Sequence, residues 1–328
     1  MKKVGLFMLV RLGYVGMSMN LKNASPSRTM TVSQFLKQKD REAAIHKLER
    51  ISNTNIENCL RLLKYNKAHN ISFFRLSSKL IPLANHEEVG DWDYMKPLND
   101  NLRMLGEFAL KNKMRIDFHP EHFVILNSTK EEVLQSSIKT LIMHYKLLKS
   151  MRINIEQRCV LHIGGGYGDK EKALEQLIEN FGSIPGKLQK MLMFENDDTT
   201  FTFDETLFAC EKLGVPIVFD YHHHLVNFTN ENWVQNWDRA IQTWNHSNLP
   251  MKMHISSPKD DKDSRAHADT IDPSMFLSFL NEIYGSLDQI DCMIEAKQKD
   301  NALFRLMEDL KDHQSVERID ESKFYFRP

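Results

Sequence analysis

Between Pro216 and His224 the chain reads PIVFDYHHH, an apolar run that ends in an acid and three imidazoles. Carboxylates and imidazoles delivered by the end of a buried strand are the oxygen and nitrogen donors with which a protein holds a divalent cation. The same plan recurs along the chain: RIDFHP ends in His119, VLHIGG carries His162, MLMFEND ends in Glu195, MKMHIS carries His254 and CMIEAK ends in Glu295. Side chains alternate along a strand, so Lys252 and His254 share a face, as do Val218 and Asp220, and Asp220 with His223 can share an ion across the strand end. His119, His162, Glu195, Asp220, His223, His254, His267 and Glu295 make a set of eight donors. That is too many for one zinc ion, which takes about four ligands, and suits two to three divalent ions. With three carboxylates and no thiolate, manganese or zinc is favoured, with cobalt a further candidate. Sites of this kind most often handle phosphoryl oxygens, where paired ions stabilise the attacking and leaving groups together.

A lone strand histidine is usually a satisfied core residue, and His222 and His224 are read in that way or as rim positions, because alternation does not direct three successive side chains inward. His46, His69, His144, His246 and His313 fall in helices or at helix ends and are excluded from the set. The glycine-rich stretch Gly164 to Gly168 matches neither spacing of the phosphate-binding loops. Its glycines are read as a tight backbone turn beside a crowded site.

Donors from such distant places need a scaffold that brings strand ends together. Strand-like segments are Val4 to Tyr14, ISFFRL, RIDFHP, CVLHIGG, MLMFEN, PIVFDY, MKMHIS and CMIEAK. Helical patterns lie between them, at Asn55–His69, Leu98–Asn112, Thr129–Ser150, Lys170–Phe181, Asp204–Leu213, Trp233–Trp244, Pro273–Tyr284 and Asn301–Leu310. Eight strands alternating with eight helices predict a parallel sheet closed into a single (β/α)8 TIM barrel, whose chemistry sits at the C-terminal ends of the strands. Ser18 to Asn53 is a polar excursion with Ile45, Leu48 and Ile51 at helical spacing, an N-terminal helical insertion after the first strand and over the mouth. The expected division is a barrel domain over 1–312 and a C-terminal tail over 313–328.

The chain of 328 residues carries 43 Lys and Arg against 44 Asp and Glu, so no overall basic footprint marks it as a nucleic-acid binder. A polyanion would have to be held by a local patch or by bound cations. Cys59, Cys159, Cys210 and Cys292 form no CxxC pair and are expected to be reduced, packed thiols. No apolar run reaches the roughly 20 residues of a membrane helix, and no signal peptide is apparent, so a soluble, cytoplasmic monomer is expected.

The motifs FHPEHF, HIGGGYG, ENDD, FDYHHH, MKMHISSPK, HAD and IEAKQKD, with RLGY and RLSS near the start, resemble the ultraviolet-damage endonuclease family of DNA repair, over nearly the whole chain from Arg11 to about Leu310. The resemblance implies a TIM barrel like that of endonuclease IV. It also implies hydrolysis of the phosphodiester 5′ to pyrimidine dimers and 6-4 photoproducts in double-stranded DNA, and often at abasic sites, with a cluster of metal ions, usually manganese. By motif, the family's metal ligands fall on the eight donors above, His267 in SRAHAD among them. The catalytic set it implies is Glu195, Glu295, Asp220 and Lys252, the last as a carboxylated lysine. Arg11, Tyr14, Arg75, Ser77, Lys259 and Lys297 are candidate DNA contacts. Where relatives commonly carry a glutamine and an aromatic as a wedge into the damaged duplex, this chain has His122 and Phe123. Two other readings compete: a metal-dependent sugar isomerase or epimerase on the same barrel type, and a non-catalytic damage-binding protein with structural metals.

Overall fold

Every residue of the strands Phe73–Arg75, Arg115–Asp117, Leu192–Glu195, Ile217–Asp220 and Met251–Ile255 is buried. Burial on both faces is the mark of a parallel sheet covered by helices. In this computed structural model, which describes residues 7–328, the strands are β1 (Met8–Val15), β2 (Phe73–Arg75), β3 (Arg115–Asp117), β4 (Cys159–His162), β5 (Leu192–Glu195), β6 (Ile217–Asp220), β7 (Met251–Ile255) and β8 (Gln289–Ile294). Their order is β3-β2-β1-β8-β7-β6-β5-β4. A parallel bridge between Phe118 and Cys159 joins the two ends, with Phe118 N donating to Arg158 O at 2.8 Å and Val160 N to Phe118 O at 3.0 Å, so the sheet closes as a TIM barrel. The stretch of the expected first strand from Val4 to Leu6 lies outside the described residues.

The helices are α1 (Val32–Leu36), α2 (Arg41–Ala68), α3 (Met95–Lys111), α4 (Glu131–Ser150), α5 (Lys170–Ser183), α6 (Gly186–Gln189), α7 (Phe203–Leu213), α8 (Tyr221–Val226), α9 (Trp237–Gln242), α10 (Pro273–Ile283) and α11 (Asp300–Asp309). Three of them depart from expectation. The insertion and the first barrel helix are one continuous α2 of 28 residues. Ser52, Asn53, Thr54 and Asn55 look like a break in sequence, yet Ser52 Oγ and Thr54 Oγ1 each bond the carbonyl four residues back, at 2.9 and 2.8 Å, and stay inside the helix. Asn55 is buried and donates to Arg28 O and Leu80 O while accepting from Arg28 N, which pins the excursion to α2. The helix expected from Trp233 splits into a 3-10 turn, Trp233–Asn236, followed by α9. The strand of PIVFDYHHH stops at Asp220, whose carboxylate accepts from His223 N at 2.8 Å and caps α8.

Residues 313–328 form an antiparallel pair, β9 (Val316–Arg318) and β10 (Lys323–Phe326), in place of the expected tail. Strand β2 meets β1 only at Tyr14 and Val15, so the Met8–Arg11 edge of β1 is left to β10, which pairs with it residue for residue. Covering that edge buries Phe324 and Phe326 and removes an unpaired strand from solvent.

Candidate metal centre at the barrel mouth

Register brings the donors to one level. Strand pairing sets His162 beside Glu195 and Asp220 beside His254. Two groups of ligand atoms result, each with its members within 4.8 Å of one another: His119, His162 and Glu195, and Glu195, Asp220, His254 and Glu295. Glu195 belongs to both. Its Oε2 lies 2.9 Å from His119 Nε2 and 3.4 Å from His162 Nε2, and its Oε1 lies 2.7 Å from His254 Nδ1. Glu295 Oε1 lies 3.1 Å from the same His254 nitrogen.

His223 approaches from the first turn of α8, with Nδ1 3.6 Å from Glu195 Oε1 and 3.8 Å from Asp220 Oδ2, and donates it to Asn196 O at 2.9 Å. His267 Nδ1 donates to Glu295 O at 2.6 Å, and its ring centroid lies 6.2 Å from that of His223. The mouth thus gathers all eight predicted donors. His222 and His224 turn away with the helix: His222 bonds Ser256 Oγ and Ser264 O, and His224 packs on Phe219 and Phe228.

Burial dominates the electrostatics here. Burial alone would raise the Glu195 carboxyl, but His254, His119 and His162 hold it well below the usual range. Glu295 is likewise held down, against burial, chiefly by Arg75 and His254. Asp220 is pushed up to about 6 by burial and by Glu195 and Glu295, against His223. His223 rises to about 9 because Asp220 and Glu195 outweigh its burial, while burial and Arg75 bring His254 down to about 4. A neutral imidazole is the ligating form.

One oxygen marks the site as built for a cation. Asp220 Oδ2 is buried and has no hydrogen-bond partner, with His223 Nδ1 no nearer than 3.8 Å, and a buried carboxylate oxygen without a close partner is costly unless a cation meets it. Nitrogen and oxygen donors without a thiolate fit a borderline to hard divalent ion.

The layer beneath holds groups that sequence reasoning missed. Lys252 points into the barrel as expected, but its ammonium donates to Asp117 Oδ2 at 2.8 Å, with both side chains fully buried. Its charge faces that carboxylate below the mouth, and burial brings the amine down to about 8. Asp117 stands two residues before His119, as Lys252 stands two before His254, and that alternation was the available signal. Asn196, next to Glu195, exchanges two hydrogen bonds of 2.9 Å with the Asp220 backbone and holds β6 in place.

The candidate DNA contacts divide. Arg11 lies low in β1, paired through Nε with Asp291 at 2.8 Å, in a buried network that Arg115 joins, and does not reach the mouth. Tyr14 is buried on the outer face of β1, its hydroxyl donating to Asn66 of α2 at 2.6 Å. Strand β1 runs on to Val15, so the RLGY motif is not its end and alternation turns Tyr14 outward. Arg75, Ser77 and His122 do line the mouth cavity, of about 570 Å³, with Ser77 Oγ 2.7 Å from Ser27 Oγ. Phe123 is 56% exposed. Lys297 is exposed just beyond Glu295, and Lys259 is paired with Asp263 at 3.2 Å on the loop leading to His267.

Fold and site together define a TIM barrel with a carboxylate and imidazole cluster at its catalytic face. The family profile described as UV-endonuclease UvdE matches residues 10–327, and the chain belongs to that family of UV-damage repair endonucleases. It is 50% identical over 322 residues to the UV DNA damage endonuclease of Halalkalibacterium halodurans, covering 98% of this chain and 100% of that protein. The UV DNA damage endonuclease of Bacillus cereus is 39% identical over 312 residues, covering 95% and 98%. The crystal structure of SacUVDE superposes with a TM-score of 0.81 at 32% identity, covering 92% of this chain and 98% of that one. Among the described residues no helix is long and apolar enough to cross a membrane.

Proposed function

We propose that this protein hydrolyses the phosphodiester 5′ to ultraviolet photoproducts in double-stranded DNA, and at abasic sites, with two to three divalent ions held at the barrel mouth. The observation that carries the reading is the convergence of six donors in two groups that share Glu195, with Asp220 Oδ2 unpartnered in the second. His119 and His162 with Glu195 would hold one ion, and Glu195, Asp220, His254 and Glu295 another, with His223 and His267 completing the shell. Bound divalent ions, manganese foremost, supply positive charge to phosphoryl oxygens and acidify water at neutral pH.

The chain's own residues do the positioning. Asn196 fixes both Asp220 and His223, so these two donors move together. The Glu295 carbonyl orients His267 through Nδ1 and leaves its Nε2 to face the mouth. Lys297 and Lys259 would neutralise DNA phosphates flanking the cut, and Ser77 would donate a hydrogen bond to one. His122 and Phe123, on the exposed loop after His119, would fill the duplex where the lesion opens it. A sugar isomerase shares the barrel and the strand-end acids, but the family match over residues 10–327 favours a nuclease.

The test is a defined duplex bearing one pyrimidine dimer, incubated with protein and manganese. A single nick 5′ to the dimer, and none in the undamaged duplex, is expected. Glu195→Ala should lose nicking by several orders of magnitude while still retarding the duplex in a gel, because it removes the carboxylate shared by both donor groups. A Glu195→Ala protein with wild-type turnover at matched metal rules out this assignment, and a wild-type protein that leaves the dimer duplex intact rules out the activity.

A further inference from the structure

Arg75 stands at the C-terminal end of β2 with its side chain only 11% exposed, in contact with the second donor group. Its Nη2 donates to Glu295 Oε1 at 2.5 Å and lies against the His254 ring, 2.8 Å from Nε2 and 3.3 Å from Nδ1. A guanidinium keeps its charge at any working pH and cannot ligate a metal. It therefore satisfies one carboxylate of the group Glu195, Asp220, His254 and Glu295 in the manner of a cation, while Asp220 Oδ2 is left without a partner. The fit is incomplete on the arginine's side too, since Arg75 Nε is buried and unpartnered.

Two consequences follow from elementary electrostatics. The lone pair of Glu295 Oε1 that accepts from Arg75 is withdrawn from an incoming ion. A divalent charge seated among the four donors would also stand within a few ångströms of the guanidinium, where like charges repel strongly at low dielectric. The arginine has somewhere to go: it lines the mouth cavity beside Ser77, Lys79 and His122. There a planar guanidinium can grip a phosphate through two parallel hydrogen bonds.

Resting on the metal-ion reading above, we infer that Arg75 is a displaceable counter-cation: it holds Glu295 and His254 while the site lacks its ion, leaves them when a divalent ion binds, and then serves the DNA phosphate. Metal loading and phosphate capture are coupled through one side chain. The Glu295 carboxylate is compensated before the ion arrives, and the loaded enzyme gains a phosphate ligand.

The test reads metal binding directly. Calorimetric titration with manganese chloride should show Arg75→Leu binding its weakest ion about tenfold or more tightly than the wild type, because no cation has to be displaced. Arg75→Lys, which keeps a charge, should stay near the wild type. A purely structural arginine would instead lose affinity on substitution. A second arm needs no variant: in the wild type, phenylglyoxal labelling of Arg75, read by peptide mass, should speed up several-fold when manganese is added. Equal or weaker manganese binding by Arg75→Leu, or a labelling rate indifferent to manganese, overturns the exchange. If the wild type takes up no manganese at all, the metal reading of the site falls first and the exchange with it. Wild-type uptake with an unchanged Arg75→Leu affinity overturns the exchange alone.

Discussion

Glu195 ties the two donor groups together because of register, since β4 pairs His162 beside it and β7 presents His254 to its other oxygen. Residues of this kind were legible in the sequence: an acid or imidazole closing an apolar run falls at the barrel mouth by the geometry of the fold. Asp117 and Asn196 were not, because each looks like the neighbour of a ligand, and only the packed interior reveals that one answers Lys252 and the other ties Asp220 to His223. His144, excluded from the donor set because it falls in a helix, is fully buried. Its Nδ1 donates to Thr140 O at 2.9 Å, its ring packs edge-on against Phe118, and Nε2 has no partner. Burial brings this imidazole down to about 4, whereas in the unfolded chain it titrates near 6.5. Between those values the unfolded chain takes up a proton that the folded one refuses, so stability falls as pH falls from about 6.5 to about 4. The limit of the effect is of the order of 3 kcal/mol. His144→Leu should flatten this region of the pH profile of the urea unfolding midpoint, relative to wild type, and identical profiles would place the acid sensitivity elsewhere.

At the scale of elements, alternation of strand and helix was legible because the strands are short and largely apolar, broken mainly by residues such as Arg11, Asp117 and Lys252, and the helices between them are amphipathic. The exceptions share a physical cause: a local signal overridden by a contact distant in sequence. The polar run Ser52–Asn55 reads as a break, but Asn55 spends its amide on Arg28 and Leu80, partners that no local pattern reveals. HHH reads as a strand end, but Asp220 caps a helix there, and a helix turns about 100° per residue, so His223 presents Nδ1 to Glu195 and Asp220 while His222 bonds Ser256 and Ser264. The last residues read as a tail because KFYF is short and flanked by charge, yet β1 lacks a neighbour over Met8–Arg11 and β10 supplies it. Phe324 is fully buried there, packed edge-on to Phe276. Phe324→Ala is accordingly expected to destabilise the protein by about 3–5 kcal/mol. Unfolding curves would register that loss, while nicking well below the melting temperature should persist, because the pair sits at the opposite end of the barrel from the donors. Lost nicking in a folded Phe324→Ala protein would mean that the hairpin acts on the mouth.

For the whole molecule, 43 basic residues against 44 acidic ones leave little long-range attraction for an undamaged duplex. Discrimination must then come from what a damaged duplex permits mechanically, since a lesion lowers the work of bending and unstacking. His122 lines the cavity of about 570 Å³ over the donors, and Phe123 lines a neighbouring cavity of about 630 Å³. Ser27, Ser78, Lys79 and Glu121 line both cavities and form the wall between them, with His122 on one side and Phe123 on the other. A wall with space on either side can separate the strands of a duplex, with the exposed Phe123 ring replacing base stacking worth about 1–3 kcal/mol per base and the imidazole bonding an orphaned base edge. The contribution should grow with the stiffness of the DNA that has to be opened. Phe123→Ala and His122→Ala are therefore expected to lose more nicking on a dimer-containing duplex than on a gapped or abasic one, where opening costs less. Equal losses on the two substrates would make the pair scaffold for the loop after His119, and a fall in bound metal in His122→Ala would make that imidazole a member of the cation site instead.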